Sequence, residues 1–213
     1  MGIARNIRRF ADSLRSQGVL PTLRRASQAV SREYIHTRFI VYRVNLIEEE
    51  IQKPQNPNNF SITRYRGKAE IAPEDLDALY SKRDRQEFES QMDRRFGKRA
   101  VLWLVRHEGK IAFFMWTILE KHVAPYFLPL GPKDCLVFDV EAFPDFRGMG
   151  VLPFALNTAL GEFAREGIQN VYIDTAVWNE PCIRSLRKTP FRQIGVARKH
   201  KIFGKNIVLW DET

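Results

Sequence analysis

The stretch FPDFRGMGVLPFALNTAL, Phe143 to Leu160, joins a proline-led turn and two closely spaced glycines to an unbroken helical pattern. Leu152, Ala155, Leu156, Ala159, Leu160 and Phe163 fall on one helical face. The spacing therefore predicts an amphipathic helix from Val151 to about Arg165, packed on a sheet and ended by Gly167. At the start of such a helix the first amides have no partner within it, and they carry the positive end of its dipole. Gly148 and Gly150 remove side chains where those amides point, and Pro153 is tolerated in a first turn. A strand, a glycine-flanked turn and a helix N-terminus together make an anion site, suited above all to phosphate. The Gly-Lys-Ser/Thr ending of a Walker loop is missing, and so are the three glycines of the dinucleotide fingerprint.

Working outward, the flanking segments predict a mixed α/β chain with a strand–helix–strand unit late in the sequence. RFIVYRVNLI from Arg38 and FSITRYR from Phe60 read as strands, separated by the polar connector QKPQNPNNF. APEDLDALY opens a helix with Pro73 at a first helical position, and Arg85 to Phe96 forms a second, ended at Gly97. AVLWLVRHEGKIAFFMWTILE is two apolar strands about a HEGK turn, in which Trp103, Phe113, Phe114 and Trp116 are core residues. A Pro/Gly-broken loop follows, and its Tyr126 and Phe127 are placed to wall an acceptor site. CLVFDVEAF and NVYIDTAVWN are strands on either side of the glycine turn and its helix. EPCIRSLRKT is a short helix, and FRQIGVARKHKIFGKNIVLW a terminal hairpin.

The chain has 213 residues, 44% hydrophobic and 28% charged, which suits one domain with an appendage. Its formal charge of +9 favours phosphate-bearing or acidic partners without choosing among nucleic acid, an anionic membrane, a phosphorylated cofactor and an acidic carrier. Two cysteines make no disulfide framework, the longest apolar run is too short to span a bilayer, and no signal peptide is evident; the expected location is cytoplasmic. Residues 1–37 are rich in arginine, and Ile3, Ile7, Phe10 and Leu14 recur at helical spacing. They predict a basic helical extension that packs on the body or makes a weak peripheral membrane contact. The four histidines lack zinc-ligand spacing, so no metal site is expected.

The residues around the glycine turn resemble the GNAT N-acyltransferase (acetyltransferase) superfamily. PDFRGMGVL supplies Pro144, Phe146, Arg147, Gly148 and Gly150 of its Arg/Gln-x-x-Gly-x-Gly/Ala motif. Asn179, a short helix and Phe191 follow after the next strand, as in that family. The order of segments from about Phe60 to Trp210 matches as well. Two positions depart from the pattern: Leu152 stands for the last Gly/Ala, and Pro190 for the glycine of a final Gly-Phe.

The resemblance implies an α/β fold with a GNAT-like mixed, mostly antiparallel sheet flanked by helices. It spans residues 38–213, after a basic helical extension over 1–37. It implies acetyl-coenzyme A or another acyl-coenzyme A as co-substrate, with no metal, and an amine of a small molecule or amino sugar as acceptor. Arg147, Gly148, Met149, Gly150, Val151 and Leu152 would cradle the pyrophosphate. Glu141, Ala142 and Phe143 would pair with the pantetheine arm as an added strand does, and Asn179 would reach the same arm.

An alkylamine is protonated at neutral pH and needs a base before it can attack a thioester. Asp139 and Glu141 alternate on the strand before the turn, and Asp139, five residues before the proline, is the first choice for that base, then Glu141 and Glu120. The family's proton-donating tyrosine aligns with Leu186, which leaves Ser185, Cys182, Tyr172 or solvent to protonate the thiolate. An acidic carrier protein stays open as a partner. Two rival readings are a coenzyme-binding module without catalysis and a basic nucleic-acid-binding protein. The second fits less well, because the aromatics follow strand-core patterns rather than one exposed basic face.

Overall fold

A computed structural model describes residues 38–51, 54–81, 84–119, 126–202 and 205–212. The basic extension over 1–37 and Glu120 lie outside the described residues.

The strands are β1 (Arg38–Asn45), β2 (Ser61–Tyr65), β3 (Val101–His107), β4 (Lys110–Leu119), β5 (Asp134–Ala142), β6 (Asn170–Ala176), β7 (Arg192–Ile202) and β8 (Lys205–Glu212). They form one eight-stranded sheet in the order β2-β3-β4-β5-β6-β1-β7-β8. Every described pairing is antiparallel except β5 with β6. The helices are α1 (Pro73–Tyr80), α2 (Arg85–Gly97), α3 (Val151–Arg165) and α4 (Glu180–Leu186).

Strand alternation sorts the core into two layers. Trp103, Val105, Phe113, Met115, Val137 and Ile173 face one way and meet Leu156, Leu160 and Phe163 of α3 together with Leu186 of α4. Leu102, Leu104, Phe114, Trp116, Leu136 and Tyr172 face the other way, onto Leu79 of α1 and Phe88 and Met92 of α2. Apart from its two ends, β4 is buried along its whole length, as a central strand covered on both sides must be. The buried Trp103 indole N–H is satisfied by Thr117 Oγ1 at 2.9 Å.

Local chemistry sets the element ends. Glu108 (φ 50°) and Gly109 (φ 77°) are both left-handed, which suits the two-residue β3–β4 hairpin. Asp84 caps α2 by accepting from the Glu87 amide at 3.0 Å. At the end of α3, Gly167 takes φ 78° and the Ile168 amide returns to the Phe163 carbonyl at 3.0 Å, a Schellman closure. Asp134 is buried at the start of β5. Its carboxylate accepts from the Gly131 amide at 2.7 Å and from Asn170 Nδ2 at 2.8 Å, which ties the start of β5 to the start of β6.

The first strand does not precede the sheet as an appendage. β1 lies between β6 and β7 and pairs with both.

Candidate functional site

The parallel pairing of β5 with β6 is short. It runs from Asp134↔Asn170 to Val137↔Ile173 and then stops. Beyond it β5 stays with β4 as far as Ala142, while β6 stays with β1 as far as Ala176. The two strands therefore fork, and the edge of β5 from Phe138 to Ala142 faces the gap instead of a neighbouring strand.

A bulge sits at the fork. Phe114 pairs with Glu141 and Trp116 with Phe138, so Asp139 and Val140 together oppose Met115. Asp139 takes the left-handed φ of 46°, a conformation that aspartate tolerates better than most side chains. Its carboxylate is 2.5 Å from Arg95 of α2. The Arg95 guanidinium in turn lies over Trp116 and Phe138, 5.0 and 5.4 Å from their ring centroids. The extra residue breaks strict alternation. Asp139 and Glu141 still come to the same side, because Asp139 reaches α2 and Glu141 is paired in register with Phe114 of the α1/α2 layer.

The glycine turn closes the other end of the fork. Phe143 spends its amide on the Ala112 carbonyl at 2.9 Å, and Pro144–Phe146 makes one turn of 3-10 helix. Gly148 (φ 82°) and Gly150 (φ 77°) are left-handed, and a Cβ built on either would meet nothing within 4 Å. Glycine is required there by the backbone conformation, while the space beside it is open. Gly150 is the cap of α3 and makes no side-chain cap bond. Among the described residues the amides of Gly148, Gly150, Val151 and Leu152 have no backbone partner. Asn58 Nδ2 holds the Met149 carbonyl at 2.8 Å, and Arg147 Nε holds that of Ala142 at 3.2 Å.

A cleft of about 630 Å³ runs from this turn into the fork. Of the residues singled out in the sequence, Glu141, Ala142, Arg147, Gly148, Gly150, Val151, Leu152, Asn179 and Ser185 line it. Phe143 is buried in the α1/α2 layer, and Met149 lines an adjoining cleft of about 580 Å³ on the far side of Gly150. Asp139 does not line the first cleft and is held by Arg95 of α2. Asn179 caps α4 without a side-chain cap bond. Ser185 Oγ donates to the Pro181 carbonyl at 2.9 Å.

Arg184 and Lys188 also border the cleft and, with Arg147, give it three cationic side chains. The sequence reading did not use Arg184 or Lys188. Their signal was the basic run RSLRK, Arg184 to Lys188, at the end of the segment that follows Asn179. Burial pushes the Cys135 thiol up to about 12 and raises that of Cys182 as well, which disfavours the thiolate in both. Leu186, at the position of the family tyrosine, is fully buried. The described residues hold no group of His, Cys, Asp and Glu able to bind a metal. No described helix is long and apolar enough to cross a membrane.

One further carboxylate stands at the fork and was missed in the sequence. Asp174 follows Ile173, the last β6 residue paired with β5. It accepts a hydrogen bond from Tyr126 Oη at 3.0 Å. Its signal was a lone acid inside the apolar run VYIDTAVW.

No sequence-family model matches the chain, and no curated protein is detectably similar to it. Solved structures are similar in fold. A tandem GNAT protein from the clavulanic acid biosynthesis pathway aligns with TM-score 0.53 and 16% identity over 74% of this chain and 50% of its own. A GNAT-family acetyltransferase of Colwellia psychrerythraea gives 0.53 and 14%, over 83% and 56%. A protein of Novosphingobium aromaticivorans assigned to the same family gives 0.51 and 15%, over 75% and 61%. The chain thus spans between half and about three fifths of the length of these neighbours. With its mixed sheet, forked β5–β6 pair and glycine turn before α3, the described part of the chain has the GNAT fold.

Proposed function

We propose that this protein is an acyl-coenzyme A-dependent N-acyltransferase that moves an acyl group, acetyl by first choice, to an amine of a small molecule or amino sugar. The observation that carries the reading is the junction of the fork with the glycine turn. Unpartnered amides at the mouth of α3 lead directly to an unpaired strand edge, inside one cleft bordered by three cations.

The residues fit such a co-substrate. A diphosphate is complemented by the amides of Gly148, Gly150, Val151 and Leu152 and by the charge of Arg147, Arg184 and Lys188. A pantetheine arm carries amides, which match the open edge of β5 and the side chain of Asn179. When bound, the acyl thioester supplies an activated carbonyl carbon. A carrier-bound acyl donor would enter by the same fork.

The chain's own groups then divide the work. Main-chain N–H groups at the fork stabilise the developing oxyanion. Return of a proton to the thiolate by Ser185 would require its hydroxyl to leave the Pro181 carbonyl; otherwise solvent supplies it. Asp139 and then Glu141 are the β5 candidates for the base that an ammonium-bearing acceptor needs. Proton removal by Asp139 would require release from Arg95. Cytoplasmic residence suits the free thiols Cys135 and Cys182.

The test is thermal-shift titration with acetyl-coenzyme A and longer acyl thioesters, followed by thiol release with a panel of amines. Stabilisation by the thioesters and amine-dependent release are expected. Tight, salt-sensitive binding to oligonucleotides with no shift by coenzyme A would reject the reading. A second reading, a coenzyme-binding module without catalysis, is favoured by the burial of Leu186 where the family places a tyrosine. Binding without release for every amine would select it.

A further inference from the structure

We infer that Asp174, held by Tyr126, is the group that takes the proton from the acceptor amine; this rests on the acyl-transfer reading above. Parallel pairing brings Leu136 beside Tyr172 and Val137 beside Ile173, and both strands continue in phase to the point of divergence. Asp174 is therefore the first β6 residue past the vertex of the fork. It follows Tyr172 of the α1/α2 layer and Ile173 of the α3/α4 layer, so alternation turns it to the α1/α2 face.

The glycine cradle, α3 and α4 occupy the other face. A thioester threaded through the fork from that cradle leaves only the α1/α2 face for an incoming nucleophile. Of the two candidate β5 carboxylates, Asp139 is committed to Arg95, and Glu141 lies well past Val137, the last β5 residue paired with β6, beside the glycine turn rather than at the vertex. Among the described residues Asp174 has no cation within ion-pair distance, and its one hydrogen bond comes from the Tyr126 hydroxyl. Tyr126 begins the described segment leading into β5, next to Phe127, which packs on Phe39 of β1 at 5.4 Å between centroids. That segment thus lies against the same end of β6.

The surroundings suit a base. Desolvation by burial raises the Asp174 carboxyl above the ordinary carboxylate range, while the Tyr126 hydrogen bond and the Lys199 ammonium of β7 pull it back. Burial raises the pKa of the Cys182 thiol of α4, which also feels the Asp174 charge; Tyr172, two residues before Asp174 in β6, is raised by burial and accepts from Arg43. A carboxylate whose basicity burial raises suits proton transfer from an ammonium.

The Asp174 carboxylate takes one N–H proton from the ammonium. The freed lone pair forms the C–N bond at the thioester carbon, and the carbonyl electrons move onto oxygen. When they return, the C–S bond breaks, the nitrogen loses its second proton and the thiolate gains one. Asp174 then releases its proton to solvent.

The experiment uses the full chain, acetyl-coenzyme A and thiol release with spermidine, glucosamine or, if neither reacts, water; hydroxylamine, already neutral at pH 7, is a control needing no base. Asp174→Asn is expected to keep the acetyl-coenzyme A thermal shift and to lose about a hundredfold or more in kcat, the scale of general-base catalysis. With hydroxylamine it should lose less than about tenfold. Tyr126→Phe removes a bond that lowers the Asp174 pKa, so the acidic limb of kcat/KM should move to higher pH with its plateau kept. A purely structural role would lower the rate without moving the limb. Full turnover by Asp174→Asn, or an unmoved limb in Tyr126→Phe, overturns the assignment alone. A wild-type protein that neither binds acetyl-coenzyme A nor releases thiol in any of these assays overturns the acyl-transfer reading with it.

Discussion

Arg95 of α2 and Asp139 of β5 meet at 2.5 Å across the α1/α2 face, and so pin a helix to the bulge that begins the fork. Both side chains are partly exposed, and a pair of this kind contributes about 1 kcal/mol or less. Asparagine tolerates the left-handed backbone at residue 139 as well as aspartate does. Asp139→Asn is therefore expected to lower the melting temperature by roughly 2–4 °C at most. Loss of turnover should stay below about tenfold, short of what removal of a general base costs. A hundredfold loss in kcat with binding intact would return the base to Asp139.

Gly150 should separate backbone strain from ligand contact. An alanine there meets no atom within 4 Å but must hold φ near 77°, which costs about 1–2 kcal/mol. Gly150→Ala should melt earlier and still be stabilised by acetyl-coenzyme A. Gly150→Glu adds a carboxylate to the mouth of the cradle and should lose the stabilisation altogether. Differential scanning fluorimetry with and without the thioester reads both. Equal shifts for wild type and Gly150→Glu would remove the diphosphate from this turn.

Restoring the family tyrosine should not restore a proton donor. Leu186 is fully buried in the α3/α4 layer, so Leu186→Tyr overfills a packed site and should destabilise by roughly 1–3 kcal/mol. Urea denaturation measures it. A stable and faster Leu186→Tyr enzyme would mean that α4 can rotate to present that position to the cleft.

Stability should fall in alkali partly through Cys135. Burial raises its thiol from 9.0 to about 12. The unfolded chain then loses the proton first, so the contribution is complete below 9.0 and is lost as pH rises towards about 12. Cys135→Ala should begin less stable, because of the cavity it leaves, but decline less steeply above 9.0. Parallel slopes for the two proteins would show that the tyrosines, not this thiol, govern the alkaline limb.

Much of this was legible in local sequence. The α3 face, its Gly167 stop and the Glu108-Gly109 hairpin follow from periodicity and turn chemistry, which act over a few residues. The cradle was legible because glycines before a helix have a direct electrostatic meaning. The bulge was not: whether Asp139 and Val140 share one partner depends on the register with Met115, set by strands far apart in sequence. Asp174 read as an ordinary strand residue, since only the end of pairing at Val137↔Ile173 makes its position unusual. Insertion of β1 between β6 and β7 was hidden for the same reason.

That insertion has a consequence for how the protein can be cut. The β7–β8 ribbon joins the remaining strands only through β1. Cleaving the chain in the polar connector and discarding what comes before it would bare the outer edge of β6, the strand that carries Asp174, and leave the C-terminal ribbon with no strand to dock on. A shortened version that starts at the resemblance near Phe60 should therefore be insoluble, and supplying residues 38–51 as a separate peptide is the natural complementation assay.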